Sequence, residues 1–365
     1  MNNTQALHDL GQSLWLDNIT REILDDGTLR RYIDDYSITG LTSNPTIFDE
    51  AIAGTAAYDA DIATLAARGI VGEEAFIHVA LDDLRRAADL FAPIHAATGG
   101  VDGWVSMEVS PLLAADTAGT VAAAKAIHAQ AQRANLFVKI PGTPEGVPAI
   151  EEAIFAGVPV NVTLLFSREQ YLASAQAWLR GIERRLAAGL DANVASVASV
   201  FISRWDKAVA GQVAEPIKNQ LGIAIGQRTF RAYREFLASE RVRTVLAAGA
   251  RPQRLLWAST GTKDPQASDV LYVEALAAPD SIDTMPEKTL KAFADHGHAD
   301  RGLSASDDGE AMLARYAQAG IDLDALAARL QVEGAASFVK SWQEMLGRIA
   351  AKARSLAQSG HLGTM

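Results

Sequence analysis

The chain has 365 residues, 49% of them hydrophobic and 21% charged, enough for a large core in one large domain or two small ones. A net charge of -11 and a pI near 5.2 argue against non-specific nucleic-acid binding, which draws most of its affinity from a basic stripe, so an anionic ligand would need local positive charge. Zero cysteines exclude a disulfide framework, thiolate metal sites and thiol catalysis, while the lack of a long apolar run or a secretory pattern in "MNNTQALHDLGQ" leads us to expect a cytoplasmic protein with no membrane partner.

Short, apolar, β-branched segments alternate with Ala/Leu/Arg-rich stretches of helical period, as βαβ units require. In chain order the predicted strands are 13–19, 37–43, 103–109, 136–141, 159–166, 194–203, 254–260 and, more weakly, 281–288. Helix starts follow several of them: "SNPTIFDEAI" offers a Ser or Asn cap with Pro45 at the first helical position, "TPEGVPAIEEAI" repeats the device with Thr143 and Pro144, and "SREQ" at 167–170 is a capping box.

A helical stretch from about 56 to 98 separates the second and third strands, and amphipathic repeats fill a tail from about 305 to 358. No low-complexity segment, Pro-rich linker or run of like charges marks a boundary. Residues 1–365 therefore read as a single α/β domain, a (β/α)₈ TIM barrel with extra helices between strands 2 and 3 and at the C-terminus. An open doubly wound sheet is the alternative, but no GxGxxG follows the first strand.

Chemistry on such a barrel gathers at the C-terminal strand ends. Those ends offer Asp17, Ser43, Asn44, Glu108, Lys139, Asn161, Thr163, Ser199, Phe201, Arg204 and Ser259. Polar groups on parallel strands buried on both faces are expensive unless paired, so their recurrence calls for a reason. Of nine lysines, Lys139 alone has apolar residues on both sides in a strand-like segment, "LFVKIPG". Burial disfavours the ammonium form, which suits an amine that attacks a carbonyl to form an imine. The plainer reading is a lysine salt-bridged to Asp17 or Glu108 inside the barrel. Two carboxylates on different strands favour the first reading, because imine formation needs proton transfers at several steps.

"LDNITREILDDGTL", "GLTSNPTIFDEAI", "SMEVSP", "FVKIPGTPEG", "VNVTLLFS" and "LLWASTGTKDP" resemble transaldolase in its longer bacterial form, in order and in strand position, and the match runs on to "EGAASFVKSWQEML". The resemblance implies a Schiff-base transferase of the pentose phosphate pathway. It would move a dihydroxyacetone unit from sedoheptulose 7-phosphate to glyceraldehyde 3-phosphate, giving erythrose 4-phosphate and fructose 6-phosphate, with no metal or organic cofactor. Sugar phosphates are then the expected partners, for a monomer or homodimer.

By the same resemblance Lys139 would form the imine, Asp17 would take and return the proton of the C4 hydroxyl, and Glu108 would be the acid/base acting with a water held by Thr163. Ser43 would join that group. Asn44, Asn161 and Ser199 would bind the hydroxyls of the retained three-carbon unit, Arg204 the phosphate, and Ser259 a second side of it. Shorter transaldolases carry an arginine soon after that serine; "ASTGTKDP" has none, and Lys263 is the expected replacement. Phe201 stands where related small aldolases tend to have tyrosine, which favours transfer over free aldol cleavage. The remaining alternatives are a cofactor-free fructose-6-phosphate-type aldolase and a non-catalytic sugar-phosphate-binding barrel. "HGHAD" at 296–300 offers no third metal ligand, and "GIAIG" at 222–226 reads as a packing or loop motif.

Overall fold

The computed structural model describes residues 2–213, 215–304 and 306–362; residue 305, near which the C-terminal extension was expected to begin, lies outside the described residues. Eight strands form one sheet: β1 (Ser13–Asp17), β2 (Ile38–Thr42), β3 (Val105–Glu108), β4 (Leu136–Pro141), β5 (Val160–Leu165), β6 (Ser196–Phe201), β7 (Gln253–Ala258) and β8 (Ser281–Met285). Every ladder is parallel and the order runs β2-β1-β8-β7-β6-β5-β4-β3. A parallel bridge between Gly40 and Trp104 closes the ring, giving the (β/α)₈ barrel. Gly40 is needed there, since a Cβ would lie 2.7 Å from the Trp104 carbonyl oxygen and 2.7 Å from Trp15 Nε1. The weakly patterned last strand is real and pairs with both β1 and β7.

The period of two sorts each strand. Trp15, Trp104, Phe137, Val197, Leu256 and Ile282 share an inner cluster, while Leu14, Leu16, Val138, Ile140, Val160 and Val162 join the core under the helices. Trp104 and Phe137 stack with centroids 4.1 Å apart, so aromatic side chains fill the centre of the barrel's N-terminal half.

Asn44 caps the helix Pro45–Gly54 by accepting from Ile47 N at 3.1 Å, and Ser167 with Gln170 makes the expected capping box. The helix after β4 departs from expectation. It begins at Gly146, not at Pro144, and Thr143 Oγ1 accepts from Gly146 N at 3.1 Å, because the Pro-Gly-Thr-Pro turn uses up the intervening residues.

The insertion is two helices, Asp59–Ala67 and Gly72–Ala97. The buried Arg21 at the foot of the helix Arg21–Asp25 ties them down, with Nε donating to Asp83 Oδ1 at 2.8 Å and the guanidinium over the Tyr58 ring. The tail forms Glu310–Gln318 and one long helix, Leu323–Leu362, which lies across the helix Pro45–Gly54 and is fastened by Arg348 to Asp49 at 2.7 Å and Lys352 to Asp59 at 2.6 Å. "GIAIG" sits inside the helix Leu221–Leu237, where Gly222 and Gly226 allow close packing on Ile202 and Leu276. No helix among the described residues is long and apolar enough to cross a membrane.

Candidate active site

At the C-terminal mouth the inward residues change from aromatic to polar, and they line a cavity of about 210 Å³. Lys139 reaches its floor from β4. Its Nζ donates to the Ser43 carbonyl at 2.9 Å and lies 3.8 Å from Glu108 Oε2. Parallel pairing sets Glu108 of β3 and Asn161 of β5 beside Lys139 on the adjacent strands.

Asp17 ends β1 and accepts from Thr42 Oγ1 at 2.7 Å, and Thr42 in turn meets Thr284 of β8 at 2.6 Å. Burial raises the Asp17 carboxyl, opposed by the Lys139 charge and the Thr42 hydrogen bond. Burial likewise pushes Glu108 up to about 7, with Lys139 pulling it down and Asp17 adding to the rise. A carboxyl that titrates near neutrality can both give and take a proton at physiological pH. Glu108 Oε2 and Thr163 Oγ1 are buried and make no hydrogen bond among the described residues.

The far end of the cavity is cationic. Arg204, in the helix Ser203–Val209, stacks over the Phe201 ring at 5.0 Å, and Lys263 comes from the loop after β7. Burial lowers the Arg204 guanidinium, offset in part by Glu333. Burial also lowers Lys263, and repulsion from Lys207 and Arg204 adds to the effect. Among the described residues neither cation has a hydrogen-bonding partner. A pair of converging, partly buried cations with no hydrogen-bonded acceptor is a site for an anion. Ser259 stands between them and the barrel with φ +58, held by its carbonyl and hydroxyl to Ser203, so the backbone is forced into a conformation that a non-glycine residue avoids.

Nine of the twelve residues expected from the sequence line this cavity: Asp17, Asn44, Lys139, Thr163, Ser199, Phe201, Arg204, Ser259 and Lys263. Glu108 touches it through Lys139. Asn161 sits behind Ser199, accepting its hydroxyl at 2.7 Å and donating to Ser106 Oγ at 3.1 Å, and so braces the site from beneath. Ser43 contributes its carbonyl, while its hydroxyl is spent on the Ser106 carbonyl at 2.8 Å.

Strand parity could have identified the partner that sequence reasoning missed: Gly40 faces inward, hence so does Thr42 and not Ser43. Thr284 follows from the same count on β8. Ser337 and Phe338, which also line the cavity, come from the C-terminal helix and carry no local signal. "HGHAD" stands apart from this cavity, His296 lying between Asp269 and Asp295.

Residues 14–349 match the protein family described as Transaldolase/Fructose-6-phosphate aldolase. The chain is 44% identical over 356 residues to the transaldolase of Arthrobacter sp. (strain FB24), covering 95% of this chain and 96% of that one. It is 43% identical over 358 residues to the transaldolase of Thiobacillus denitrificans, covering 96% and 100%, and 44% identical over 356 residues to that of Thermobifida fusca, covering 95% and 97%.

Proposed function

The chain belongs to the transaldolase/fructose-6-phosphate aldolase family and works as a transaldolase; we propose that it does so by carrying a dihydroxyacetone unit on Lys139 as an imine. The observation that carries this reading is the placing of the Lys139 amine on the cavity floor, 2.9 Å from a carbonyl and 3.8 Å from Glu108, with Asp17 three strands round the ring on β1 and two cations opposite.

The amine adds to the C2 carbonyl of the donor ketose, and Glu108 gives a proton to the departing hydroxyl so that water leaves and an iminium forms. Thr163 offers its free hydroxyl to that water. Asp17 then takes the proton of the C4 hydroxyl. The C3–C4 bond breaks, its electron pair passes into the iminium to give an enamine, and the first aldehyde departs. The enamine adds to the second aldehyde, Asp17 returns its proton, and hydrolysis frees the product.

Ser199 and Asn44 are placed to hold the retained unit, and Arg204 with Lys263 and Ser259 to take the terminal phosphate, Arg204 by its planar fork. Phe201 packs 5.4 Å from Phe166, presenting an apolar ring where a hydroxyl would help water reach the imine, and this favours transfer over free cleavage. Sedoheptulose 7-phosphate and glyceraldehyde 3-phosphate are the proposed substrates, within the pentose phosphate pathway of the cytoplasm.

Incubation with fructose 6-phosphate and borohydride, followed by peptide mass spectrometry, should give a three-carbon adduct on Lys139. Lys139→Ala should give none and lose at least about a thousandfold in kcat. An adduct elsewhere, or the same adduct in the variant, would discard the mechanism. Addition of an acceptor aldehyde before borohydride should clear the adduct and form a new ketose phosphate.

A further inference from the structure

The long C-terminal helix does more than cover the barrel. Gln331, buried in its third turn, donates from Nε2 to the carbonyls of Leu164 at 2.9 Å and Gly142 at 3.0 Å. Gly142 follows β4, the strand of Lys139. Leu164 follows Thr163 in β5. One side-chain amide therefore clasps two adjacent strand ends, which are also joined by Gly142 N donating to the Thr163 carbonyl at 2.8 Å.

The clasped segment is irregular. Val162 pairs with Ala198, but the next pair is Leu165 with Val200, so Thr163 and Leu164 together face Ser199. This is a bulge, and Leu164 sits in it with φ +58. A left-handed leucine costs about 1–2 kcal/mol and persists only where its surroundings over-determine it. The bulge leaves Thr163 on the cavity, turns Leu164 into the inner cluster with Phe166 and Phe201, and returns Leu165 to the outer core.

One turn further along the helix, Gly334 faces the same place. A Cβ there would lie 3.0 Å from Leu164 Cδ2 and 3.1 Å from Arg204 Nη1. Ser337 and Phe338, one turn on again, line the cavity. Positions 331, 334, 337 and 338 share one helix face.

We propose that Gln331 is a positioning residue of the reaction, locking the β5 bulge so that the Thr163 hydroxyl stays aimed at the imine centre, and that Gly334 keeps the space in which the Arg204 guanidinium meets the phosphate. The inference rests on the imine reading above. It makes the C-terminal helix a wall of the active site.

Gln331→Leu keeps the shape and removes the donor, leaving two carbonyls unpaired. Its kcat should fall about tenfold or more, with KM for fructose 6-phosphate within about twofold of wild type, and the rate of borohydride-trapped adduct on Lys139 should fall in proportion. Gly334→Ala should show the opposite split, KM for fructose 6-phosphate rising roughly fivefold with kcat nearly kept, and no change for unphosphorylated fructose as donor. Val332→Ala, an exposed neighbour on the same helix, should keep both constants.

If a folded Gln331→Leu keeps the wild-type kcat, or loses activity only as its active fraction falls, the role given to Gln331 is overturned. Should that variant fail to fold, Gly334→Ala decides: equal losses with the phosphorylated and unphosphorylated donors refute the wall. A wild-type chain that traps nothing on Lys139 overturns the imine reading itself.

Discussion

The two mouths of the barrel bury charge in opposite ways. At the N-terminal mouth Asp102 accepts from Trp15 Nε1 at 3.0 Å and from the Ser13 hydroxyl, and lies 3.8 Å from Arg254, which itself donates to Ser13 at 2.7 Å and to the Ser281 carbonyl at 3.1 Å. A cavity of about 250 Å³ opens there too, yet its arginines are engaged, Arg251 with Asn193 and the Gly99 carbonyl. At the C-terminal mouth Glu108 Oε2 and Thr163 Oγ1 have no hydrogen bond among the described residues, and Arg204 and Lys263 repel each other with no hydrogen-bonded acceptor among the described residues. Satisfied polar groups hold a structure together; unsatisfied ones, kept in place by their neighbours, are available to a substrate.

The contrast can be broken most severely from below. Asp102→Ala leaves Trp15 Nε1 and the Ser13 hydroxyl without their acceptor and removes the carboxylate beside the largely buried Arg254, and should cost about 3 kcal/mol of stability, measured by urea unfolding, while the folded fraction keeps its kcat. A matching loss of kcat in fully folded protein would show that the two ends are coupled.

From above, Glu108→Gln should do the reverse. The transfer rate should fall about a hundredfold, and the variant should be no less stable than wild type above pH 7, where the wild-type carboxylate is buried and charged. For the wild type, the rate of imine trapping should decline as pH rises through about 7, because the acid that expels water is lost; the decline should vanish in Glu108→Gln. A decline that survives the substitution would assign the titration to another group.

A second titrating carboxyl sharpens the contrast at the helix layer. Asp283, on the outward side of β8, is fully buried, accepts from Thr260 at 2.8 Å, and is pushed by burial up to about 7. Its folded-state value lies above its unfolded one, so the native chain holds the extra proton between about pH 4 and 7. Stability from this group is therefore present at low pH and declines as pH rises through that window. Asp283→Asn should gain up to about 4 kcal/mol relative to wild type at pH 8, three units at about 1.4 kcal/mol each, and nothing at pH 4, read as the difference between two denaturation midpoints. A gain equal at both pH values would rule out titration as its cause.

Much of this was legible in the sequence. All eight strands were, because parallel barrel strands are short apolar runs flanked by turn residues, and so was the C-terminal helical tail. Lys139 stood out for the same reason, being a cation in such a run. Two details lay beyond it, one local and one distant. Ser43 was chosen over Thr42 by its place at the strand end, where inward parity decides. Asn161 is expected to bind substrate, and the structure adds that Ser106 and Ser199 each take one hydrogen bond of its amide and fix its orientation.

The amino-acid order by itself determined which residues face into the barrel, since that depends on a period of two, and which ends carry polar groups. Only the tertiary structure decided how far each polar group is satisfied, because partners come from across the closed ring. It also decided where the period fails. The bulge at Thr163 and Leu164 is held by Gln331, 167 residues away from Leu164 along the chain, and no local pattern encodes a contact whose two halves meet only after the barrel has closed and the last helix has been laid across its mouth.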